Sequence, residues 1–374
     1  MRIVVVGGGP AGLYFALLMK RLDPSHSVTV FERDGPNDTF GWGIVFSDRT
    51  FSFLADTDPV SADEIVGRSE TWDDVAVVHR GQTVTIRGNR FSGIARLAFL
   101  QILHRRCADV GVDLRFHANV ENPAAWRDAD LVVGADGANS LVRRTYETAF
   151  QPTVEARRNR YIWLGTDQLF HALTLTFRQN DAGLFAAHSY KFSPTTSTFI
   201  VECAPEVWAR AGLETLREPD MCAYLERLFV DDLAGHRLLT NNFVRWMNFV
   251  LVKNARWHHD NVVLLGDALH TAHFSIGSGT KLALEDAIAL ARAFAEHGDR
   301  RQALEAFQHE RKPVVDALQD AAYESLLWFE HMDQDLALDP VPFAYRLMTR
   351  SGRIDHEKLR KRDPEFVAAY ERTR

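Results

Sequence analysis

The run Gly7-Gly8-Gly9-Pro10-Ala11-Gly12 follows the apolar stretch Ile3-Val4-Val5-Val6, and Glu32 stands twenty positions after Gly12. Glycines at this spacing let a strand turn tightly into a helix, let backbone approach a pyrophosphate, and let the helix pack on the strand. The helix start then offers unpaired N–H groups and the positive end of its dipole to phosphates. Glu32, ending a second strand with Arg33 beside it, is placed to accept from ribose hydroxyls. The expected chemistry is dinucleotide binding by Gly7, Gly9, Pro10, Ala11, Gly12, Glu32 and Arg33.

Two later stretches extend that chemistry. Gly134-Ala135-Asp136-Gly137-Ala138-Asn139-Ser140 follows the apolar Leu131-Val132-Val133, with Arg143 and Arg144 behind it. Leu264-Leu265-Gly266-Asp267-Ala268-Leu269-His270 leads to Gly277-Ser278-Gly279-Thr280-Lys281 and a helix carrying Glu285-Asp286. A carboxylate at a strand end binds ribityl hydroxyls, and Gly277 and Gly279 admit a flat ring to backbone N–H groups at a helix start. The positive helix end favours an anionic reduced flavin. The first unit alone fits NAD or FAD, and Gly266-Asp267 with Gly277-Ser278-Gly279 selects a flavin.

These residues need a scaffold. Ile3 to Phe31 reads as a βαβ unit, with an apolar-periodic helix from Ala11 to Leu22 and the strand Ser27-Val28-Thr29-Val30-Phe31. A helix over Arg96–Val110 and strands near Asp113–Phe116, Leu131–Val133 and Asn261–Leu265 continue the pattern, followed by a helix from about Lys281 to Ala295. Between Tyr161 and Cys203, alternating stretches such as Leu173-Thr174-Leu175-Thr176-Phe177 predict an antiparallel sheet. The fold class expected is α/β, a Rossmann-like FAD-binding lobe with an inserted, mostly antiparallel β-sheet substrate lobe and a peripheral helical C-terminal tail. The expected segments are 1–68, 95–152 and 256–315 for the FAD-binding lobe, 69–94 and 153–255 for the substrate lobe, and 316–374 for the tail.

The three motifs in this order, GxGxxG, GADGxxSxxRR and GDALH with GSG and EDA, resemble those of the flavoprotein aromatic hydroxylases with the p-hydroxybenzoate hydroxylase fold, over nearly the whole chain. The resemblance implies that Gly7, Gly9, Gly12, Glu32, Arg96, Asp136 and Asp267 serve FAD, with NADH or NADPH as reductant. It also implies a C4a-hydroperoxyflavin that delivers oxygen to an electron-rich ring. Narrower stretches, Phe40-Gly41-Trp42-Gly43-Ile44-Val45-Phe46-Ser47-Asp48, Tyr161-Ile162-Trp163-Leu164-Gly165-Thr166, Ser197 to Glu202, His273 to Lys281 and Thr349 to Ile354, resemble the subgroup acting on salicyloyl-CoA and anthraniloyl-CoA. The violacein-pathway hydroxylases share several of them. The implied reaction is salicyloyl-CoA to gentisyl-CoA, without the later ring reduction of bifunctional relatives; an indole-derived substrate or a non-hydroxylating flavin oxidoreductase are the alternatives. His273-Phe274 and Lys281 depart from the Pro-Pro pair and Asn of many aromatic hydroxylases.

Hydroxylation of a phenol gains from a base, and histidine serves at neutral pH. His273 in the flavin-facing loop is the first candidate, with His188 and Tyr190 on the inserted sheet as substitutes. Trp42 and Phe274 are expected to wall the substrate pocket, and Arg157 and Arg158 to meet CoA phosphates.

With 43 Lys and Arg against 50 Asp and Glu, the net charge is −7, and no basic stripe suggests nucleic acid. Cys107, Cys203 and Cys222 have no CxxC spacing, so neither a zinc site nor a disulfide framework is expected. No segment approaches the ~20 apolar residues that span a bilayer. A cytoplasmic monomer or homodimer without a membrane partner is expected, taking an aromatic acyl-CoA and O2.

Overall fold

A computed structural model describes residues 1–126 and 128–374, and the side chains of all of these except 48, 49, 124 and 125. Ile3-Val4-Val5-Val6 forms a strand buried on both faces, as a near-continuous β-branched run should in a parallel sheet. It lies inside a six-stranded sheet ordered His258–His259, Val262–Leu264, Leu131–Gly134, Arg2–Val6, Ser27–Phe31, Asp113–Arg115. All neighbours are parallel except the edge pair His258–His259 and Val262–Leu264. Helices Pro10–Leu22, Arg96–Asp109 and Gly279–Glu296 pack around this sheet, close to the expected positions. One core holds Leu13, Phe15, Phe99, Leu103, Leu284 and Leu290, each shielding apolar surface worth roughly 1.5–3 kcal/mol.

The inserted sheet runs Leu238–Leu239, Pro152–Thr166, Ser197–Cys203, Gly183–Lys191, Leu173–Asn180, Val75–His79, Gln82–Ile86, with Met247–Asn254 also pairing Pro152–Thr166. Its pairs are antiparallel except Leu173–Asn180 with Val75–His79. Side chains alternate across a strand, so Tyr161, Trp163, Ile200, Glu202, His188, Tyr190, Leu173 and Leu175 share one face. The opposite face carries Ile162, Phe185, Phe199 and Val201 under the helices Pro205–Arg210 and Glu218–Leu228. A three-stranded sheet of Gly43–Ser47, Phe91–Ala95 and Glu70–Trp72 joins the lobes. The Gly43 N–H donates to Thr198 Oγ1 at 2.9 Å, tying that small sheet to the large one.

The C-terminal region is not peripheral. Helix Arg300–Glu330 runs along the FAD-binding lobe, and Pro340–Thr349, His356–Arg362 and Pro364–Glu371 close over the large sheet. Phe329, Phe343, Leu347, Leu359 and Phe366 form a core there with Val77, Leu175 and Phe177. The charge-rich text hid this because its apolar residues recur only on one helical face.

Candidate active site

A cavity of about 810 Å³ lies between the lobes, and it joins the Gly-rich turn to the inward face of the large sheet. At one end are Gly9, Pro10 and Ala11, at the other His188, Tyr190, Leu175 and Phe274, with Arg96, Asp267, Gly277, Gly279, Thr280 and Lys281 also in its wall. The structure thus brings most of the expected cofactor and ring-contact residues to one space.

The glycines divide by task. Gly7 has φ +107, and a Cβ there would sit 2.2 Å from Ala135 O; at Gly12 it would sit 2.2 Å from Gly7 O. These two let backbone pack on backbone. Gly9, Gly137 and Gly279 have no neighbour within 4 Å of such a Cβ and border the cavity, so they leave room for a phosphate chain and a ring. Helix Gly279–Glu296 begins without a capping side chain, which keeps its first N–H groups for a partner. Arg96 is deeply set, its Nε is buried without a partner, and burial lowers its pKa while Asp267 opposes the shift. Asp267 is exposed to the cavity between its walls; desolvation there raises its pKa, and Arg96 and His270 counter that. A desolvated guanidinium, a carboxylate and three open glycines around one cavity fit FAD.

Some expected residues act from outside the cavity. Glu32 accepts from Gly8 N at 2.7 Å and from Asp34 N at 2.9 Å, which shapes the phosphate turn. Arg33 is exposed beside Asp34. Asp136 accepts from Ser140 Oγ, Leu141 N and Val142 N, fixing the loop whose Gly137, Ala138 and Asn139 border the cavity. Trp42 lies against Gly165 and its carbonyl accepts from Arg96 N at 2.8 Å, so it supports the wall from behind.

The three base candidates sit in different surroundings. His273 does not line the cavity: its Nδ1 lies 2.8 Å from Ser275 Oγ, and burial, with His188 next, lowers its pKa well below 6.5. Tyr190 lines the cavity but donates its hydroxyl proton to Gly43 O at 2.9 Å, and burial raises its pKa. His188 remains. Its ring lines the cavity, 5.3 Å from Phe274, and its Nε2 lies 3.5 Å from Glu202 Oε1. His188 faces Ile200 across the sheet, so Glu202, two residues on, is its diagonal neighbour. Glu202 Oε2 is 3.9 Å from His273 Nε2.

Arg157 and Arg158 sit at a register shift between Ala156 and Arg160, where Asn248 Nδ2 donates to both carbonyls. Arg157 pairs with Glu330 at 2.6 Å and Arg158 with Glu206 at 2.8 Å. Neither lines the cavity. Sequence reasoning missed Arg350, which reaches the cavity from the end of helix Pro340–Thr349. It donates to Ser275 O at 2.7 Å and Ser325 Oγ at 2.8 Å, and burial pulls it down to about 10, still a cation at neutral pH. Its signal in the sequence was its place in the Thr349–Ile354 stretch. His270 is bonded through Nε2 to Asp286 Oδ2 at 2.6 Å. Burial works against the Asp286 carboxylate, but His270 and Arg311 outweigh it and hold its pKa low. Among the described residues no group of three His, Cys, Asp or Glu side chains is arranged to hold a metal.

Residues 108–322 match the model of the FAD binding domain family. The salicyloyl-CoA 5-hydroxylase of a Streptomyces species is 41% identical over 378 residues, which cover 98% of this chain and 72% of that protein. This chain is a member of the flavoprotein aromatic hydroxylase family. The hydroxylase is also 38% identical to 3-hydroxy-4-methyl-anthranilyl-[aryl-carrier protein] 5-monooxygenase of Streptosporangium sibiricum, covering 96% of this chain and 97% of that one. It is 35% identical to protodeoxyviolaceinate monooxygenase of Chromobacterium violaceum, covering 92% of each. Among solved structures, p-nitrophenol 4-monooxygenase PnpA of Pseudomonas putida superposes with a TM-score of 0.73 at 18% identity, covering 99% of this hydroxylase and 97% of that chain, a likeness of fold. The hydroxylase is an FAD-dependent aromatic monooxygenase, and none of its described helices is long and apolar enough to cross a membrane.

Proposed function

We propose that the hydroxylase oxygenates an aromatic acid carried as a CoA thioester, salicyloyl-CoA, para to the phenol to give gentisyl-CoA, using NADH or NADPH. The observation that carries this reading is the single cavity in which the FAD-binding turns and His188 meet. The 41% identical salicyloyl-CoA 5-hydroxylase supports the choice of substrate.

When bound, FAD would supply the electrophilic oxygen, with electrons from the nicotinamide and oxygen from O2. The protein supplies position, dryness and a proton acceptor. Phe274 and Tyr161, whose rings pack on each other at 4.9 Å, form one aromatic wall for the substrate ring, and Leu173 and Leu175 keep water from it. His188 takes the phenolic proton and so raises electron density on the ring. Glu202 then holds the imidazolium. Arg350 fixes the loop around Ser275 through its carbonyl. Arg96 and Asp267 would hold FAD, and the uncapped start of helix Gly279–Glu296 would favour its anionic reduced form.

Three unbridged cysteines support a cytoplasmic setting. A second reading, an indole-derived intermediate, is favoured by the 35% identical protodeoxyviolaceinate monooxygenase. The test is a panel of salicyloyl-CoA, anthraniloyl-CoA and a violacein-type indole substrate offered to the FAD-loaded enzyme. Salicyloyl-CoA should accelerate NAD(P)H oxidation most. Acceleration by the indole alone would select the second reading.

A further inference from the structure

The hydroxylase is acidic overall, yet its cavity is not. Asp267 is the only carboxylate among the described lining residues, against the cations Arg90, Arg96, Lys281, Arg350, Arg353 and Arg362. Arg96 and Lys281 belong to the FAD-binding part and Arg350 to the loop around Ser275. Three remain.

Arg90, Arg353 and Arg362 are exposed and meet at the rim, where the Gly88–Phe91 turn faces the C-terminal segment. We propose that this rim is a binding site for the phosphate groups of a phosphopantetheinyl thioester. The proposal rests on the thioester reading above, and it puts the phosphate contacts here instead of at Arg157 and Arg158.

The rim is built, not merely charged. Arg362 Nη1 donates to Asn89 Oδ1 at 2.6 Å. Asn89 is buried, and its amide nitrogen donates to Ile86 O at 3.1 Å and Arg87 O at 3.0 Å, which fixes the oxygen toward Arg362. Gly88 has φ +72, and a Cβ there would press on Arg362 Cγ at 3.0 Å, so the turn and the arginine stem are packed together. Beside Arg362, Asp363 accepts from Arg87 N and Phe366 N, and Glu365 pairs with Arg87 at 2.6 Å. A planar guanidinium held from one side keeps its other N–H edges for phosphate oxygens, which it binds in a forked geometry. The apolar neck leading inward, with Phe91, Met348 and Ile354, suits an uncharged pantetheine arm.

The same phosphopantetheinyl chemistry occurs in CoA and on an acyl carrier protein, so the assay offers one aromatic acid in three forms: its CoA thioester, its carrier-protein thioester, and its pantetheine thioester without phosphate. The FAD-loaded enzyme is compared with Arg353→Ala and Arg362→Ala. Each variant should cut the kcat/KM ratio of the phosphate-bearing over the phosphate-free thioester about tenfold, one charged hydrogen bond at roughly 1.5 kcal/mol. Arg360→Ala, on the same helix but paired with Glu371, should leave the ratio alone. Preference for CoA or for the carrier protein identifies the source, and either supports the site. A ratio unchanged in both rim variants overturns it. Binding of desulfo-CoA, which has the phosphates and no acyl group, is measured alongside by calorimetry; weakening in the rim variants supports the site and unchanged binding overturns it. If no thioester is hydroxylated while desulfo-CoA binding still depends on Arg353 and Arg362, the substrate reading falls and the phosphate site stands.

Discussion

His188 Nε2 and Glu202 Oε1 lie 3.5 Å apart, both buried, and neither atom has a hydrogen-bond partner. A carboxylate so placed gains most when the imidazole takes a proton, because low surrounding polarity strengthens the attraction. The pair is therefore suited to accept a proton from the cavity and hold it during oxygen transfer.

Replacing His188 by Asn should lower kcat about 10²–10⁴-fold, the usual span for a general base. Glu202→Gln keeps the shape and removes the charge, so it should reduce kcat less than loss of His188 does. A kcat identical to wild type in Glu202→Gln would remove Glu202 from the proton's path.

Tyr190→Phe separates a base from a strut. The hydroxyl that bonds Gly43 O is lost, which should cost about 1 kcal/mol in urea unfolding. The pH profile of turnover should keep its shape; loss of its acid limb would reinstate Tyr190 as the base.

His273 predicts acid sensitivity. Buried and neutral in the fold, it resists protonation well below 6.5, whereas the unfolded chain takes a proton near 6.5. As pH falls below that value the unfolded state binds more protons, so stability drops; above it the contribution disappears. Each unit of pKa difference is worth about 1.4 kcal/mol once the pH is below both values. His273→Asn should flatten the decline in urea midpoint between about pH 7 and pH 5, and an equally steep decline would contradict this.

The first and third motifs were legible because their chemistry is local: a turn, a helix start and a strand end lie within one short stretch. Glu202, Arg350 and the bulge at Arg157 were not. Glu202 gains meaning only from its register against His188, and Arg350 only from packing 75 residues away from Ser275. His273 was placed in the right loop, but no spacing rule reveals which way a side chain turns between a cavity and a core. The parallel pairing of Leu173–Asn180 with Val75–His79 likewise joins segments whose patterns are each compatible with either direction.

FAD binding should depend on Arg96. Its buried Nε has no protein partner, so Arg96→Met should weaken FAD roughly tenfold or more, at ~1.5–3 kcal/mol for a hydrogen bond to a charged group. Flavin fluorescence titration of the apoprotein measures this, and an unchanged affinity would place Arg96 outside the cofactor site.

We propose that one cavity brings FAD and a phenolic thioester together beside His188. This is tested most directly by turnover of salicyloyl-CoA with NAD(P)H under ¹⁸O2, with mass analysis of the product. The expected product is gentisyl-CoA carrying one ¹⁸O at the new hydroxyl, formed about 10²–10⁴-fold more slowly but with the same label when His188 is Asn. Recovery of unlabelled salicyloyl-CoA, with NAD(P)H oxidation no faster than without it, would contradict the account.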